Sequence, residues 1–470
     1  MLFSSLVFIW FFLPITMLLY TLAPNRTIKN AVLLIAGLFF YGWGEPKYMV
    51  LLLLTVITCF IAGLCLSACD GHVGKKKVVS AIYILITIGI LGYFKYFNFF
   101  AETINLAAGR DVLTIRSIAL PLGISFYTFQ AISYVIDTYR GKNPVQKNLF
   151  HLAIYICLFP QLLSGPIIKY HEIVSQITDR KESISMQAYG IKRFTYGLAK
   201  KVLLANAFGQ MVDRIMTIAP AQLGTVTAWF LIVLYALQIY YDFSGYSDMA
   251  IGLGRMFGFP YAENFNYPYL SGSITEFWRR WHISLSTWFR EYLYIPLGGN
   301  RKGLKRTCLN LFLVFIATGL WHGASMNFIC WGIYHGIFII LERFWLSKIL
   351  ERNSHKWIGH LYTIAVVLFG WLIFRADHMT TVYTLFKAMV TPTHGLWDVR
   401  IFANAKILFL MIIGILFCGP IQLMIPKLKK RLYEEEQIQI VDIPIMMSLL
   451  FLSTMVMISS TYNAFIYFKF

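Results

Sequence analysis

The chain has few charged residues, and those it has are strongly unbalanced. Only 13% of its 470 residues are Asp, Glu, Lys or Arg, whereas 58% are hydrophobic and 17% are aromatic. A typical soluble domain carries about 25% charged residues, so this composition excludes that class. The 41 Lys and Arg against 22 Asp and Glu form an excess that a membrane protein collects in its cytoplasmic loops, and we expect no nucleic-acid partner.

Several motifs of metal-binding and hydrolytic sites are missing. The sequence has no CxxC pair among its seven cysteines, no HExxH, no GxSxG, no P-loop and no GxGxxG. A disulfide framework, a zinc site and serine-hydrolase chemistry therefore lose support. We expect no bound metal and no tightly bound cofactor.

Long apolar runs recur along the whole chain instead. A helix needs about 20 residues to cross a hydrocarbon layer of about 30 Å, and lipid offers no hydrogen-bond partner to an exposed strand edge or loop. The runs predict an all-α, polytopic integral membrane protein with about 11–13 transmembrane, re-entrant and interfacial helices around a polar funnel or tunnel. We expect one domain over residues 1–470. The runs lie near residues 2–21, 30–44, 48–69, 78–99, 118–136, 149–168, 223–241, 307–342, 358–375, 405–425 and 443–462.

Basic clusters predict the orientation of these helices. Lys and Arg concentrate on the cytoplasmic side of membrane proteins. If the cluster 427–431 is cytoplasmic, the last apolar run crosses outward and leaves TYNAFIYFKF on the outer face. The clusters lie at residues 75–77, 192–201, 279–306, 343–356 and 427–431.

The loop at residues 264–307 combines aromatic and basic side chains. Arg279, Arg280, Arg290 and Arg301 lie among its tryptophans and tyrosines. This pattern is typical of a helix at the headgroup level of a membrane. The same guanidinium groups suit phosphates, so they are equally candidates for binding an anionic cosubstrate.

Two histidines interrupt the apolar stretch ATGLWHGASMNFICWGIYHG, residues 317–336. On one unbroken helix, His322 and His335 would lie about 20 Å apart along the axis and on nearly opposite faces, so they could not share a metal. Acid–base work by an uncharged imidazole remains possible. The alternative is a structural histidine hydrogen-bonded to a neighbouring helix, but polar side chains inside a membrane span favour a functional role.

Polar residues also accumulate in two other apolar stretches. QIYYDFSGYSDMAIGLG carries Asp242 and Asp248, and LFPQLLSGPI carries Gln161 and Ser164 near two prolines. Such side chains are costly in a bilayer unless they line a cavity, so we expect broken helices and a polar interior. A transport function stays open, but it ranks second because the chain shows no inverted repeat.

Five blocks of the sequence together resemble the membrane-bound O-acyltransferase family. They are similar in particular to its bacterial branch, which contains the membrane subunits for alginate and peptidoglycan O-acetylation. The core motifs fall within residues 121–377. The blocks are YYDFSGYSDMAIGLGRMFGF, NFNYPY, FWRRWHISLSTWFREYLYIPLGGNR, GLWHGASMNFICWGIYHG and WLIFRA.

The resemblance implies an O-acyltransferase of the bacterial cytoplasmic membrane. The acyl group, acetyl by this resemblance, would come from a cytoplasmic thioester, with acetyl-CoA as the co-substrate. The final acceptor would be a hydroxyl of a cell-surface or secreted polysaccharide, reached with an exported SGNH or esterase-like transferase as partner. The alternatives are a non-catalytic exporter of polysaccharide or acyl carrier, and an O-acyltransferase that acts on lipid.

The resemblance also implies roles for individual residues. It makes His322 the catalytic histidine and His282 a second polar residue that binds or orients the thioester, with His335 supporting or structural. The window HGASMN ends in Asn327, where soluble glycerolipid acyltransferases carry an aspartate. An orienting partner for the catalytic histidine must therefore come from elsewhere, and Asp242, Asp248 and a backbone carbonyl are the candidates.

The terminal stretch FIYFKF is similar to an aromatic motif at the ends of O-acetylation members of the family. This similarity implies that Tyr467 carries the acyl group transiently. The alternative is an aromatic anchor at the membrane interface.

Overall fold

The computed structural model describes residues 1–116, 118–352 and 356–463. These residues form α-helices, short π-helical and 3₁₀ turns and connecting loops, and no β-strand occurs among them. The α-helices are α1 Leu13–Leu22, α2 Arg26–Gly44, α3 Met49–Ala68, α4 Val73–Ala108, α5 Ile124–Tyr139, α6 Leu149–Cys157, α7 Phe159–Leu162, α8 Tyr170–Thr178, α9 Ile184–Ala199, α10 Asn206–Met216, α11 Thr225–Met256, α12 Ile274–Arg280, α13 Ile283–Phe289, α14 Gly303–His322, α15 Met326–Leu341, α16 Ser347–Arg352, α17 Lys356–Arg375, α18 Met379–Val390, α19 Ala405–Phe417, α20 Pro420–Met424, α21 Pro426–Lys429 and α22 Asp442–Ser459. The π-helical turns are Phe8–Phe12, Lys200–Ala205, Arg290–Tyr294, Glu342–Leu346 and Lys430–Glu434, and the 3₁₀ turns are Pro220–Gln222, Pro268–Leu270 and Val399–Ile401.

Eight helices in the described part of the chain are long and apolar enough to cross a membrane. Two shorter apolar helices, Phe8–Leu22 and Ala405–Phe417, accompany them. The prediction of an all-α, multi-pass membrane protein is confirmed, while the polar funnel stays a prediction. The eight are Arg26–Gly44, Met49–Ala68, Val73–Ala108, Thr225–Met256, Gly303–His322, Met326–Leu350, Lys356–Arg375 and Asp442–Ser459.

The described residues group into two compact units. The first contains Met1–Gly190 and Ala250–Tyr261, and the second contains Ile191–Met249 and the residues from Ala262 onward. Helices α9 and α11 contribute residues to both. The prediction of a single domain over the whole chain stays a prediction.

In the first unit, the apolar run 149–168 is not one straight helix. Helix α6 ends at Cys157, Leu158 is extended, and the short α7 follows. The break precedes Pro160, because proline lacks an N–H and its ring would clash with the carbonyl one turn earlier in a continued helix. The Tyr155 hydroxyl donates to the Ile168 carbonyl at 2.9 Å, so the segment folds back on itself, as the prolines and polar residues here predict.

In the second unit, the apolar run 307–342 is two antiparallel helices, α14 and α15. They approach closely where Gly319 and Gly332 face each other. A Cβ atom on Gly319 would collide with the Phe328 carbonyl, and one on Gly332 with the Phe315 carbonyl. Small residues allow helix backbones to pack this tightly in membranes. The two glycines therefore allow the backbones of α14 and α15 to approach closely at this crossing.

Helix α11 differs from the expectation of broken helices. It continues without interruption from Thr225 to Met256 through the polar stretch that carries Asp242 and Asp248. Both aspartates lie in the second unit and form ion pairs with buried cations. Because side chains satisfy these carboxylates, the backbone does not need to unwind around them.

Candidate active site

His322 ends helix α14 and lies against three aromatic side chains. The ring centroids of Trp321, Trp331 and Phe374 are 5.0, 5.0 and 5.1 Å from the centroid of the imidazole. Only 4% of the residue is exposed. The side chain that the sequence singles out first is therefore enclosed by aromatic rings at the end of a membrane helix.

The helix break after His322 determines where the second histidine lies. Gly323 is extended, with φ −176° and ψ 161°, and α15 then runs back along α14. The ring of His335 lies 5.1 Å from Trp331 and 5.1 Å from Trp278. Both histidines thus contact Trp331, whereas an unbroken helix would keep them about 20 Å apart.

His335 is packed too tightly to leave room beside it. It is 1% exposed, and a Cβ atom on Gly370 of α17 would collide with its Nε2. Its Nδ1 has no hydrogen-bond partner among the described residues. The supporting or structural role that the resemblance implies for His335 stays a prediction.

His282 has a backbone conformation that few side chains adopt. Its φ is 43° and its ψ 57°, in the left-handed region, which costs about 1 kcal/mol or more for a residue other than glycine. The ring is 1% exposed and lies 4.6 Å from Phe243 and 5.9 Å from Trp321. Burial lowers the pKa of His282 to about 3, so the ring is uncharged at neutral pH. His282 and His322 therefore both contact the ring of Trp321.

Asn264 holds His282 in this conformation. Its Oδ1 accepts hydrogen bonds from the Ser284 backbone N–H at 3.1 Å and the Ser284 hydroxyl at 2.9 Å, and lies 3.2 Å from His282 Nδ1. Its Nδ2 donates to the Ser247 hydroxyl at 3.0 Å. Because a backbone N–H can only donate, Oδ1 is the acceptor, and His282 Nδ1 carries the proton in this contact. Sequence reasoning missed Asn264, although it begins the NFNYPY block.

A buried carboxylate fixes helix α12, which carries Trp278. Glu342 Oε1 accepts from the Ile274 N–H at 2.6 Å, and Oε2 accepts from the N–H and hydroxyl of Thr275 at 2.8 and 2.6 Å. The first N–H groups of a helix have no partner within it, so a carboxylate at this end stabilises the helix. Sequence reasoning also missed Glu342, because no local spacing connects it with residues 274–275.

The groups that could bind an anionic cosubstrate lie at the surface. Arg279, Arg290 and Arg301 are exposed, and Arg280 pairs with Glu276 at 2.6 Å. Exposed guanidinium groups suit either the lipid headgroups or the phosphates of a bound molecule, so both interpretations remain. In the part of the chain that the structure describes, no three His, Cys, Asp or Glu side chains form a group that could hold a metal ion.

The chain matches the model of one protein family over most of its length. The model of the membrane-bound O-acyltransferase family matches residues 35–386, which include all three histidines of the site. The chain belongs to this family. It is therefore an O-acyltransferase, and it uses an acyl donor as co-substrate.

Three curated proteins are similar to this acyltransferase. It is 41% identical to the probable alginate O-acetylase of Pseudomonas aeruginosa, over 85% of this chain and 76% of the relative. It is 34% identical to the peptidoglycan O-acetyltransferase of Helicobacter pylori, over 83% and 80%. It is 29% identical to the teichoic acid D-alanyltransferase of Bacillus subtilis, over 54% and 68%.

In this acyltransferase, the two candidate carboxylates for orienting His322 lie in ion pairs. Asp242 pairs with Lys201 at 2.5 Å. Asp248 pairs with Arg193 and with Lys200, each at 2.6 Å. Their charges are thus matched by cations on α9 and on the π-helical turn that follows it.

The remaining candidates are Asn327 and Tyr467. Asn327 is buried, and its Nδ2 donates to the Ala376 carbonyl at 2.5 Å, which links the start of α15 to the end of α17. Tyr467 lies outside the described residues. The amide therefore holds two helices of the site together, and the acyl-carrier role of the tyrosine stays a prediction.

Proposed function

We propose that this O-acyltransferase moves an acetyl group from cytoplasmic acetyl-CoA across the bacterial cytoplasmic membrane to hydroxyl groups of a cell-surface or secreted polysaccharide. Two of the similar proteins are named for acetyl transfer, one to alginate and one to peptidoglycan. Both matches cover more than four fifths of this chain. The D-alanyltransferases match a smaller part, which favours acetyl over D-alanyl as the group transferred.

The observation that carries the catalytic part of the proposal is that two buried histidines, His282 and His322, contact the same ring, that of Trp321. We assign His322 as the general base. Its imidazole takes the proton from the acceptor hydroxyl as the oxygen attacks the thioester carbonyl. The new C–O bond forms, the C–S bond breaks, and the proton passes to the departing thiolate. A thioester is already activated, so this reaction needs no metal.

The other residues of the site support this step. His282, uncharged and held by Asn264, orients the thioester. His335 keeps Trp331 in place against the base. We assign binding of the phosphates of acetyl-CoA to Arg279, Arg280, Arg290 and Arg301, because guanidinium groups form paired hydrogen bonds with phosphate oxygens.

The acceptor lies on the outer face in this proposal. The cluster 427–431 is basic, which favours a cytoplasmic position for the loop before α22 and an extracytoplasmic position for the C-terminus. Tyr467 would receive the acetyl group there. An exported SGNH or esterase-like transferase would then pass it to the polysaccharide.

The test of the catalytic assignment is His322→Ala in the full-length protein. We expect acetyl transfer from radiolabelled acetyl-CoA to fall by a factor of about 10² to 10⁴, because general-base catalysis contributes rate enhancements of this size. His72→Ala, at an exposed position, is the matched control and should keep wild-type transfer. Normal expression of the His322 variant with unchanged transfer would overturn the assignment and favour an exporter. Acetyl groups found on membrane lipid instead of polysaccharide would favour a lipid acyltransferase.

A further inference from the structure

Tyr462 is anchored through its hydroxyl to a carboxylate of helix α10. The Tyr462 hydroxyl donates to Asp213 Oδ2 at 2.7 Å, and Asp213 Oδ1 accepts from the Arg375 guanidinium at 2.8 Å. Burial, followed by this carboxylate, raises the pKa of Tyr462. The phenol therefore stays protonated at neutral pH and donates to a charged acceptor, which is a stronger hydrogen bond than one between neutral groups.

Other contacts hold the same segment along α10. Asn206 Nδ2 donates to the Tyr462 carbonyl at 3.2 Å, and Gln210 Nε2 donates to the Ser460 hydroxyl at 3.0 Å. A Cβ atom on Gly209 would collide with the Tyr462 hydroxyl. Positions 206, 210 and 213 lie on one face of the helix, since they are four and three residues apart. This face of α10 thus supplies hydrogen-bond partners for the polar groups of residues 460–462.

The anchor is directly connected to the wall of the active site. Arg375 is the last residue of α17, and the preceding Phe374 lies 5.1 Å from the ring of His322. The following residue, Ala376, accepts the hydrogen bond from Asn327. The same turn of chain therefore contacts the histidine, the start of α15 and the carboxylate that holds Tyr462.

We propose that Asp213 and Arg375 form a docking site that holds the C-terminal segment beside His322 by binding the Tyr462 hydroxyl. Tyr462 is a positioning residue in this scheme, and the purpose of the docking rests on the proposed role of Tyr467 as acyl carrier. Tyr467 lies five positions after Tyr462, so an extended chain reaches at most about 18 Å from the anchor. Because Arg375 of the anchor directly follows Phe374, which contacts His322, docking keeps the carrier within this reach of the site wall and raises its effective concentration there.

The experiment compares Asp213→Asn and Tyr462→Phe in the full-length protein in detergent. Chymotrypsin cleaves after both Tyr and Phe, so release of the peptide that begins at residue 463 measures how often the segment leaves the docking site. We expect both variants to be cleaved about tenfold faster than the wild type or more, because each loses a hydrogen bond to a charged group. The double variant should be no faster than the single ones, since both changes remove the same contact. Asp398→Asn removes an exposed carboxylate–arginine pair with Arg400 and should leave the cleavage rate unchanged.

A second measurement separates docking from the proposed function. Wild-type protein incubated with radiolabelled acetyl-CoA should carry label on Tyr467, and both variants should carry at least several times less. Cleavage rates equal to wild type in both variants would overturn the docking site. Faster cleavage with unchanged label would overturn the positioning role. Absence of label on the wild type would overturn the acyl-carrier proposal alone, and the cleavage rates would still decide whether the segment docks.

Discussion

The side chain of Asn264 holds the backbone and the ring of His282 in place. Asn264 accepts two hydrogen bonds from Ser284 and contacts His282, and its backbone carbonyl accepts from the Ile283 N–H at 2.9 Å. These contacts hold a left-handed residue that would otherwise relax to a more common conformation. The position of the His282 imidazole beside Trp321 therefore depends on the Asn264 side chain.

Asn264→Ala should reduce acyl transfer without abolishing it. The change leaves the half-buried Ser284 N–H without its acceptor and frees His282 to rotate, which costs about 1–3 kcal/mol. We expect transfer from acetyl-CoA to fall about tenfold to a hundredfold, mainly through a higher KM if His282 orients the thioester. Asn30→Ala is the matched control, since Asn30 is also buried and hydrogen-bonded but belongs to the first unit. Equal losses of transfer in both variants would indicate a general effect on folding rather than a positioning role.

The sequence singles out the histidines of the candidate site but not the residues that hold them in place. His322 and His335 stand out because imidazoles are rare in apolar membrane helices. Asn264 lies eighteen positions before His282, and Glu342 lies far from the helix start that it caps. Neither residue lies on the same helix as the group it holds, so no local pattern relates the partners. Asp242 and Asp248 stood out equally for being polar, but only the structure shows that cations already pair with them.

At the scale of elements, the hairpin of α14 and α15 brings the two histidines to one tryptophan. The run 307–342 contains GxxxG twice, at Gly319 and Gly323 and again at Gly332 and Gly336. This motif is typical of helix pairs whose backbones touch. The repeated motif is therefore a sequence feature that predicts two packed helices in this run. Because the run breaks after His322, His322 lies at the end of α14 and His335 lies in the middle of α15.

Gly319→Ala should destabilise this hairpin. Its new Cβ would collide with the Phe328 carbonyl, so the helices would have to move apart, and overpacking of this kind costs about 1–3 kcal/mol. We expect a lower midpoint of thermal unfolding, followed by tryptophan fluorescence, and reduced transfer as His322 shifts. Gly89→Ala in α4 is the matched control, because a Cβ atom there meets nothing within 4 Å and alanine favours helix. A midpoint for Gly319→Ala equal to that of the control would contradict tight packing at this crossing.

At the scale of the whole molecule, composition predicts the fold class but not which helices are internal. Helices α4 and α11 are both long and apolar, yet 22% of the apolar stretch of α4 is buried and 83% of that of α11. Lipid tails and the protein interior are equally apolar, so hydrophobicity alone does not separate a lipid-facing helix from a buried one. The polar residues of α11 are the distinguishing feature, since the ion pairs that satisfy them form only inside the protein.

Acidification should destabilise the whole protein through His282. Burial lowers the pKa of His282 to about 3, whereas an exposed histidine has a pKa of about 6.5. Between these values the unfolded chain binds a proton that the folded protein does not. The contribution of His282 to the free energy of unfolding is therefore complete above about pH 6.5 and falls as the pH is lowered toward 3.

In His282→Asn, which keeps a side chain that tolerates the left-handed conformation, the unfolding midpoint should fall less steeply between pH 6.5 and 4.5 than in the wild type. His72→Asn, at an exposed position, should keep the wild-type slope, and parallel slopes for all three proteins would show that His282 is not buried uncharged.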